Sequence, residues 1–499
     1  MRTKLTGILI LCILFLSTAA EARLLQIIHT NDLHSYFEGY YNGLGGYPRL
    51  MTKIREIREE AQSKNIDVLQ LDAGDWGEGT SFFLADSGKD TLRALALLGT
   101  NVATIGNHDH LLGGKSLADQ IRGANVSTRF TVSNVRFTED MHIGDTVVPA
   151  INLERAGIKI RIIGLTTAEA YFQYSMAPGK VLSPVSVGVA ESDRARKEGA
   201  ELVIALTHIG KSQDNILAEN SRNIDVIVGG HSHTKLTEVS WRKNKTGEDV
   251  PIVQAWSNGL AVGSLLLDVD DAGKVEVVDY QLHEITSPLA ADPEMEALVE
   301  SSRFHRDINL GGPWDEVIGH TETPMSGYKN GMPVYRTSCW SRHMARAIRK
   351  GVGAHLGIHA ASFEGMYKEP GPITRADLAD NFPHLNRFGE KGWEIATILM
   401  PGYKLRPFLW FLTRWGPGGV TFSGMGYGVS GFVSDSELDP AGFAPDALYR
   451  IAIPRIAAEA IKTSFPGYRK YLRGLKYTGK FYWPVIEEYL KENSPIRCN

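Results

Sequence analysis

Short apolar, β-branched runs recur along the first half of the chain, and each ends in a polar cluster. Residues 24–30, 67–72, 102–105, 158–165, 202–207 and 225–228 are such runs, closed by Gly, Asn, Asp or His. Their composition and length predict strands. Between several of them lie stretches with helical spacing of apolar positions, such as 46–64 and 90–98. Strands alternating with helices predict an α/β domain with covered sheets, whose ligands sit at strand C-termini.

Beyond about residue 279 the pattern changes. Residues 292–310 read as one polar, amphipathic helix: Asp292-Pro293 starts it with proline in the first turn, and Gly311-Gly312-Pro313 stops it. From Trp314 onward Trp, Tyr, Pro and Gly are prominent. The expected organisation is a leader over 1–22, a first domain over 23–290, a connecting helix over 291–312 and a second, α+β domain over 313–499.

The leader is expected from Arg2 and Lys4, an apolar run over 7–16 too short to span a bilayer, and small residues around Ala20-Glu21-Ala22. Export to a periplasmic or extracellular location follows from it. Bulky Leu11 before Cys12 does not fit a lipoprotein signal, and no later stretch is long and apolar enough for a membrane helix. Past the leader, Cys339 and Cys498 could pair in an oxidising compartment, but their spacing does not decide it.

The 499 residues, 43% hydrophobic and 22% charged, have ordinary globular composition and length for two or three domains of roughly 150 residues. Collagen-like, low-complexity and largely disordered classes are excluded. A net charge of −4 gives no electrostatic footprint for a nucleic-acid polymer. Any phosphate group must be held locally.

The chemistry is concentrated at the strand ends. They carry Asp32-Leu33-His34, Gly74-Asp75, Gly106-Asn107-His108-Asp109, Thr207-His208 and Gly229-Gly230-His231-Ser232-His233. Aspartate, asparagine and histidine together are borderline ligands suited to Zn, Mn, Fe or Co. Each piece alone is common. Five in succession, each closing a strand, predict a metal centre.

These segments, with Ile28-His29-Thr30-Asn31 before the first, resemble the calcineurin-like metallophosphoesterases. The resemblance is to the exported bacterial 5′-nucleotidase family within them, which includes UDP-sugar hydrolases and 2′,3′-cyclic nucleotide phosphodiesterases. It is dense in the first domain and looser in the second, at Gly371-Pro372-Ile373-Thr374 and Ser423-Gly424-Met425-Gly426-Tyr427. It implies a four-layer α/β/β/α catalytic domain followed by a substrate-binding domain.

The resemblance further implies two divalent metal ions, one on Asp32, His34, Asp75 and His233, the other on Asp75, Asn107, His208 and His231. Such a pair activates a water and clamps the phosphoryl oxygens. Family members often have glutamine where His233 stands. His108 matches the catalytic histidine, which contacts the phosphate or protonates the leaving oxygen. The family aspartate three residues later is Leu111 here. Adjacent Asp109 is expected to do part of that work, mainly by supporting the site, and His110 is expected to be a loop residue.

In the second domain the resemblance implies aromatic rings stacking a base, matched by Phe382 and Tyr427. The expected arginine-ended loop is replaced by residues 359–365, with Glu364 set to repel phosphate; Arg336 and Arg346 remain only candidates for anion contacts. The implied activity is hydrolysis of nucleotide phosphate esters. The alternatives are the same chemistry on a non-nucleotide phosphoester or a sulfur compound, as in thiosulfohydrolases, or a catalytically weakened nucleotide-binding protein.

Overall fold

The computed structural model describes residues 23–169, 172–271, 273–329, 332–333, 338–385, 387–415, 420–428, 431–434, 444–464 and 466–498. The leader over 1–22 and Arg336 lie outside the described residues.

Two sheets pack face to face. The seven-stranded sheet runs Val275–Glu284, Ala261–Val269, Leu24–Thr30, Asp67–Asp72, Val102–Thr104, Arg129–Thr131 and Val147–Val148. The six-stranded sheet runs Ser240–Lys243, Asp249–Val253, Val226–Gly229, Leu202–His208, Ile158–Thr166 and Ala150–Arg155. Neighbouring strands in the centre of each are parallel, so their C-terminal ends lie on one side.

The strand period of two sorts the core. Leu25, Ile27, Leu69 and Leu71 of the first sheet meet Ile160, Ile162, Ile204, Val226 and Val228 of the second between the layers. Ile28 faces the other way, toward the helices Tyr47–Ser63 and Lys89–Leu97. Helices Pro184–Lys197 and Lys211–Asn220 cover the second sheet through Ala195, Leu217 and Ala218 against Ile163, Leu165 and Ile227. The result is the four-layer α/β/β/α arrangement. Each fully buried Leu or Ile contributes roughly 1.5–3 kcal/mol.

The helix expected after Asp292 spans Pro293–Leu310. Asp292 caps it by accepting from the amides of Glu294 and Met295, both at 3.1 Å, and Gly311 ends it with φ 75°. Its buried Met295 and Val299 join the core of the first domain. No helix among the described residues is long and apolar enough to cross a membrane.

The second domain is built on a five-stranded sheet, ordered Val420–Ser423, Leu356–Ala360, Leu448–Pro454, Glu394–Pro401 and Lys476–Phe481. Helices Cys339–Gly351, Gly402–Trp415, Arg455–Ser464 and Tyr482–Asn493 accompany it. Cys339 and Cys498, whose pairing the spacing left open, form a disulfide.

Asp380 of the second domain accepts a 2.6 Å hydrogen bond from the Ser81 amide of the first. Burial pushes its carboxyl up to about 7. The folded state therefore holds this proton more tightly than the unfolded chain, whose aspartates titrate near about 4. The group's contribution to stability is present below that pH and is lost as pH rises to about 7. Asp380→Asn keeps an acceptor for Ser81 and removes the titration. Thermal melts at pH 5 and pH 8 should show wild type losing a few degrees more than the variant; equal losses would refute the assignment.

Candidate metal centre

The parallel strands deliver their polar ends to one cleft. The turn after Leu24–Thr30 carries Asp32 and His34, the turn after Asp67–Asp72 carries Asp75, and the turn after Val102–Thr104 carries Asn107 and His108. Leu202–His208 ends in His208, and the turn after Val226–Gly229 carries His231 and His233. Tight turns are needed to crowd so many side chains. Asp32, His34, Asp75, His231 and His233 all have φ between 48° and 74°, a region costly for residues with a Cβ. Gly106 must lack one, since a Cβ there would lie 2.0 Å from Asp75 Oδ1.

These residues form two clusters of candidate ligands. Asp32, His34 and His233 converge in one, with His233 Nε2 3.2 Å from Asp32 Oδ1 and 3.3 Å from His34 Nε2. Asp75, His208 and His231 converge in the other, with His208 Nε2 3.0 Å from Asp75 Oδ2. The same Asp75 oxygen lies 3.8 Å from His34 Nε2, so it faces both clusters. Its other oxygen accepts from the His108 amide at 2.8 Å.

The donor atoms fit cations. His34 Nδ1 donates to the Glu78 carbonyl at 2.8 Å and His208 Nδ1 to the Ala73 carbonyl at 2.7 Å. In the neutral form of each ring, Nε2 is then a lone pair aimed at the neighbouring carboxylates. Burial holds His34 down at about 4, keeping it neutral. Burial opposes charge on His208 as well, but Asp75 and Asp32 drive it up to about 10. Buried carboxylates therefore demand positive charge at this point. Asn107 Oδ1 is also buried without a hydrogen-bond partner among the described residues.

His108 lines the same cleft, and its Nδ1 donates to Glu78 Oε2 at 2.8 Å. Burial opposes its protonation, but Asp75 and Glu78 raise it to about 9. Asp109 does not face the cleft. Its carboxylate accepts from the amides of Asp75, Gly77 and Gly106 at 2.7–2.9 Å, bracing two ligand turns. Burial and then Asp75 push its carboxyl up to about 8.

Several expectations need correction. His110 lies in the turn after Val102–Thr104, a loop residue as expected, but it is fully buried, with Nδ1 2.8 Å from Ser175 Oγ. Phe382 is a core residue, 3% exposed and packed against His359 and Tyr482, so it offers no face to a base. The side chain of Tyr427 lies outside the described residues. Glu364 is buried and engaged, accepting from Ser326 and Ser341 and lying 3.1 Å from His359 Nε2. Arg346 is turned toward Tyr489.

Three residues were missed. Glu78 pairs with His108, His384 lies against the same carboxylate, and Glu169 Oε1 sits 3.3 Å from His231 Nε2. The glycine-bounded acidic turn Gly77-Glu78-Gly79, just past Asp75, was the available signal for the first. The cleft, about 430 Å³, extends from these residues to an apolar wall of Phe411, Leu412, Ile456 and Ile461.

Residues 25–235 match the calcineurin-like phosphoesterase family model. The chain is 31% identical over 283 residues to the 5′-nucleotidase of Mus musculus, covering 52% of this chain and 48% of that protein. It is 31% identical over 345 residues to the 5′-nucleotidase of Diplobatis ommata, covering 64% of this chain and 57% of that protein. The matches thus span about half the length of these curated relatives. The crystal structure of a 5′-nucleotidase precursor from Thermus thermophilus superposes with a TM-score of 0.80 at 21% identity, covering 95% of this chain and 98% of that one. That likeness extends the shared fold into the second domain.

Proposed function

The chain carries a calcineurin-like phosphoesterase domain, and on that premise we propose that it is an exported, dinuclear-metal phosphohydrolase acting on nucleotide phosphate esters. The carrying observation is the convergence of two sets of buried and half-buried donor atoms, Asp32/His34/His233 and Asp75/His208/His231, with an Asp75 oxygen facing both. Divalent cations bound there supply Lewis-acid stabilisation of phosphoryl charge and an activated water.

The protein's own residues do the rest. Asp75 and Asp32 offset cation charge, and the carbonyls of Glu78 and Ala73 fix the ring orientations of His34 and His208. His108, with Nδ1 committed to Glu78, has its Nε2 left to contact the phosphoryl group or protonate the leaving oxygen. The nucleotidase relatives support the substrate class, and the apolar leader supports export. The apolar far wall, and the core position of Phe382, favour a second reading in which the same chemistry acts on a non-nucleotide phosphoester.

Protein stripped with chelator and reloaded with Mn, Zn or Co should be screened for phosphate release from mononucleotides, UDP-sugars, cyclic nucleotides and sugar phosphates. Metal-dependent turnover of a nucleotide supports the first reading. Turnover of sugar phosphates alone favours the second, and metal-independent or absent turnover of every ester refutes both.

A further inference from the structure

One carboxylate oxygen joins the two domains at the cleft. Glu78 Oε2 accepts from His108 Nδ1 at 2.8 Å and lies 3.1 Å from Nδ1 of His384, a residue of the second domain. Glu78 is 2% exposed, and its backbone carbonyl holds His34. The rings of His108 and His384 lie 5.8 Å apart at 28°, and His384 is stacked on Trp393 at 4.6 Å. Leu111, where the family resemblance puts the partner carboxylate, is a buried apolar residue with no side-chain group to accept a hydrogen bond.

Resting on the proposed phosphohydrolase reading, we infer that Glu78 is the positioning carboxylate of His108, and that His384 completes this arrangement from the second domain. The carboxylate has moved from the turn that carries His108 to the turn that carries Asp75. A hydrogen bond at Nδ1 fixes the imidazole plane and tautomer, leaving Nε2 for the cleft. Because His384 approaches the same oxygen, the seating of the second domain bears on His108. Nearby contacts tie the same surfaces: Ser81 to Asp380, and Phe83 to Phe388 with ring centroids 5.3 Å apart.

A double-mutant cycle tests this on the metal-loaded protein. Glu78→Gln should lower kcat for a poor leaving group by about 10–100-fold, with KM and metal content nearly unchanged. The loss should vanish when the same change is made in His108→Ala, because positioning acts only through that ring. His384→Phe keeps a ring on Trp393 and should give a smaller loss that disappears in the Glu78→Gln background. Equal losses in both backgrounds, or full activity of Glu78→Gln, would overturn the inference.

Failure of the phosphohydrolase reading itself would show as a wild type that hydrolyses no phosphate ester. The pairing is then read by ¹⁵N-histidine NMR, with each histidine signal assigned by substitution. A protected Nδ1 proton on His108, lost in Glu78→Gln, supports the inference, and its absence from wild type refutes it.

Discussion

Asp75→Asn is expected to abolish nearly all turnover while leaving the fold intact. One oxygen of Asp75 faces His208 at 3.0 Å and His34 at 3.8 Å, and the other accepts from the His108 amide. The substitution preserves shape but removes the negative charge shared by both clusters and replaces a carboxylate oxygen with a weaker ligand or an amide donor. Lewis-acid stabilisation of phosphoryl charge is worth several kcal/mol, so a loss of at least about 10³-fold in kcat/KM is expected. Elemental analysis should show about two metals per chain falling to one or fewer. Unchanged metal content with full activity would refute the shared site. Circular dichroism and melting curves should remain close to wild type, because the charge is removed from a pair of carboxylates that otherwise repel.

His108→Ala carries the second large effect. Its ring lines the cleft beside His34, with centroids 5.0 Å apart, but belongs to neither ligand cluster proposed for the cations. Metal content should therefore survive, while kcat falls by roughly 10²–10⁴-fold. The leaving group separates its two possible roles. If the imidazole protonates the departing oxygen, nitrophenyl phosphate should lose much less than an alkyl phosphate, because nitrophenolate departs without a proton. Equal losses would assign the ring to phosphate contact. Loss of metal together with activity would instead make His108 part of the ligand set.

The series of candidate ligands was legible in the sequence for a physical reason. Parallel α/β sheets gather their strand C-termini on one side, so polar residues closing successive strands become neighbours whatever the intervening helices do. Asp32, His34, Asp75, Asn107, His208, His231 and His233 each sit at such an end, and six of them converge in two clusters. The connecting helix was equally legible, because Asp292, Pro293 and Gly311 act on their own backbone neighbourhood.

Partnerships between groups that no local rule joins had to wait for the folded chain. Glu78 and His384 reach one another across two domains, and nothing in either neighbourhood announces the other. Phe382 is buried in the core while His384, two residues on, lines the cleft, and the buried Asn381 beside Phe382 is pinned by long-range hydrogen bonds. Its amide donates to the carbonyls of Ser326 and Met366 and accepts from Trp340. Sequence composition specifies which residues can ligate, stack or hydrogen-bond. Which of them do so depends on backbone direction at a few pinned turns, and that direction comes from long-range hydrogen bonds that exist only once the chain has folded.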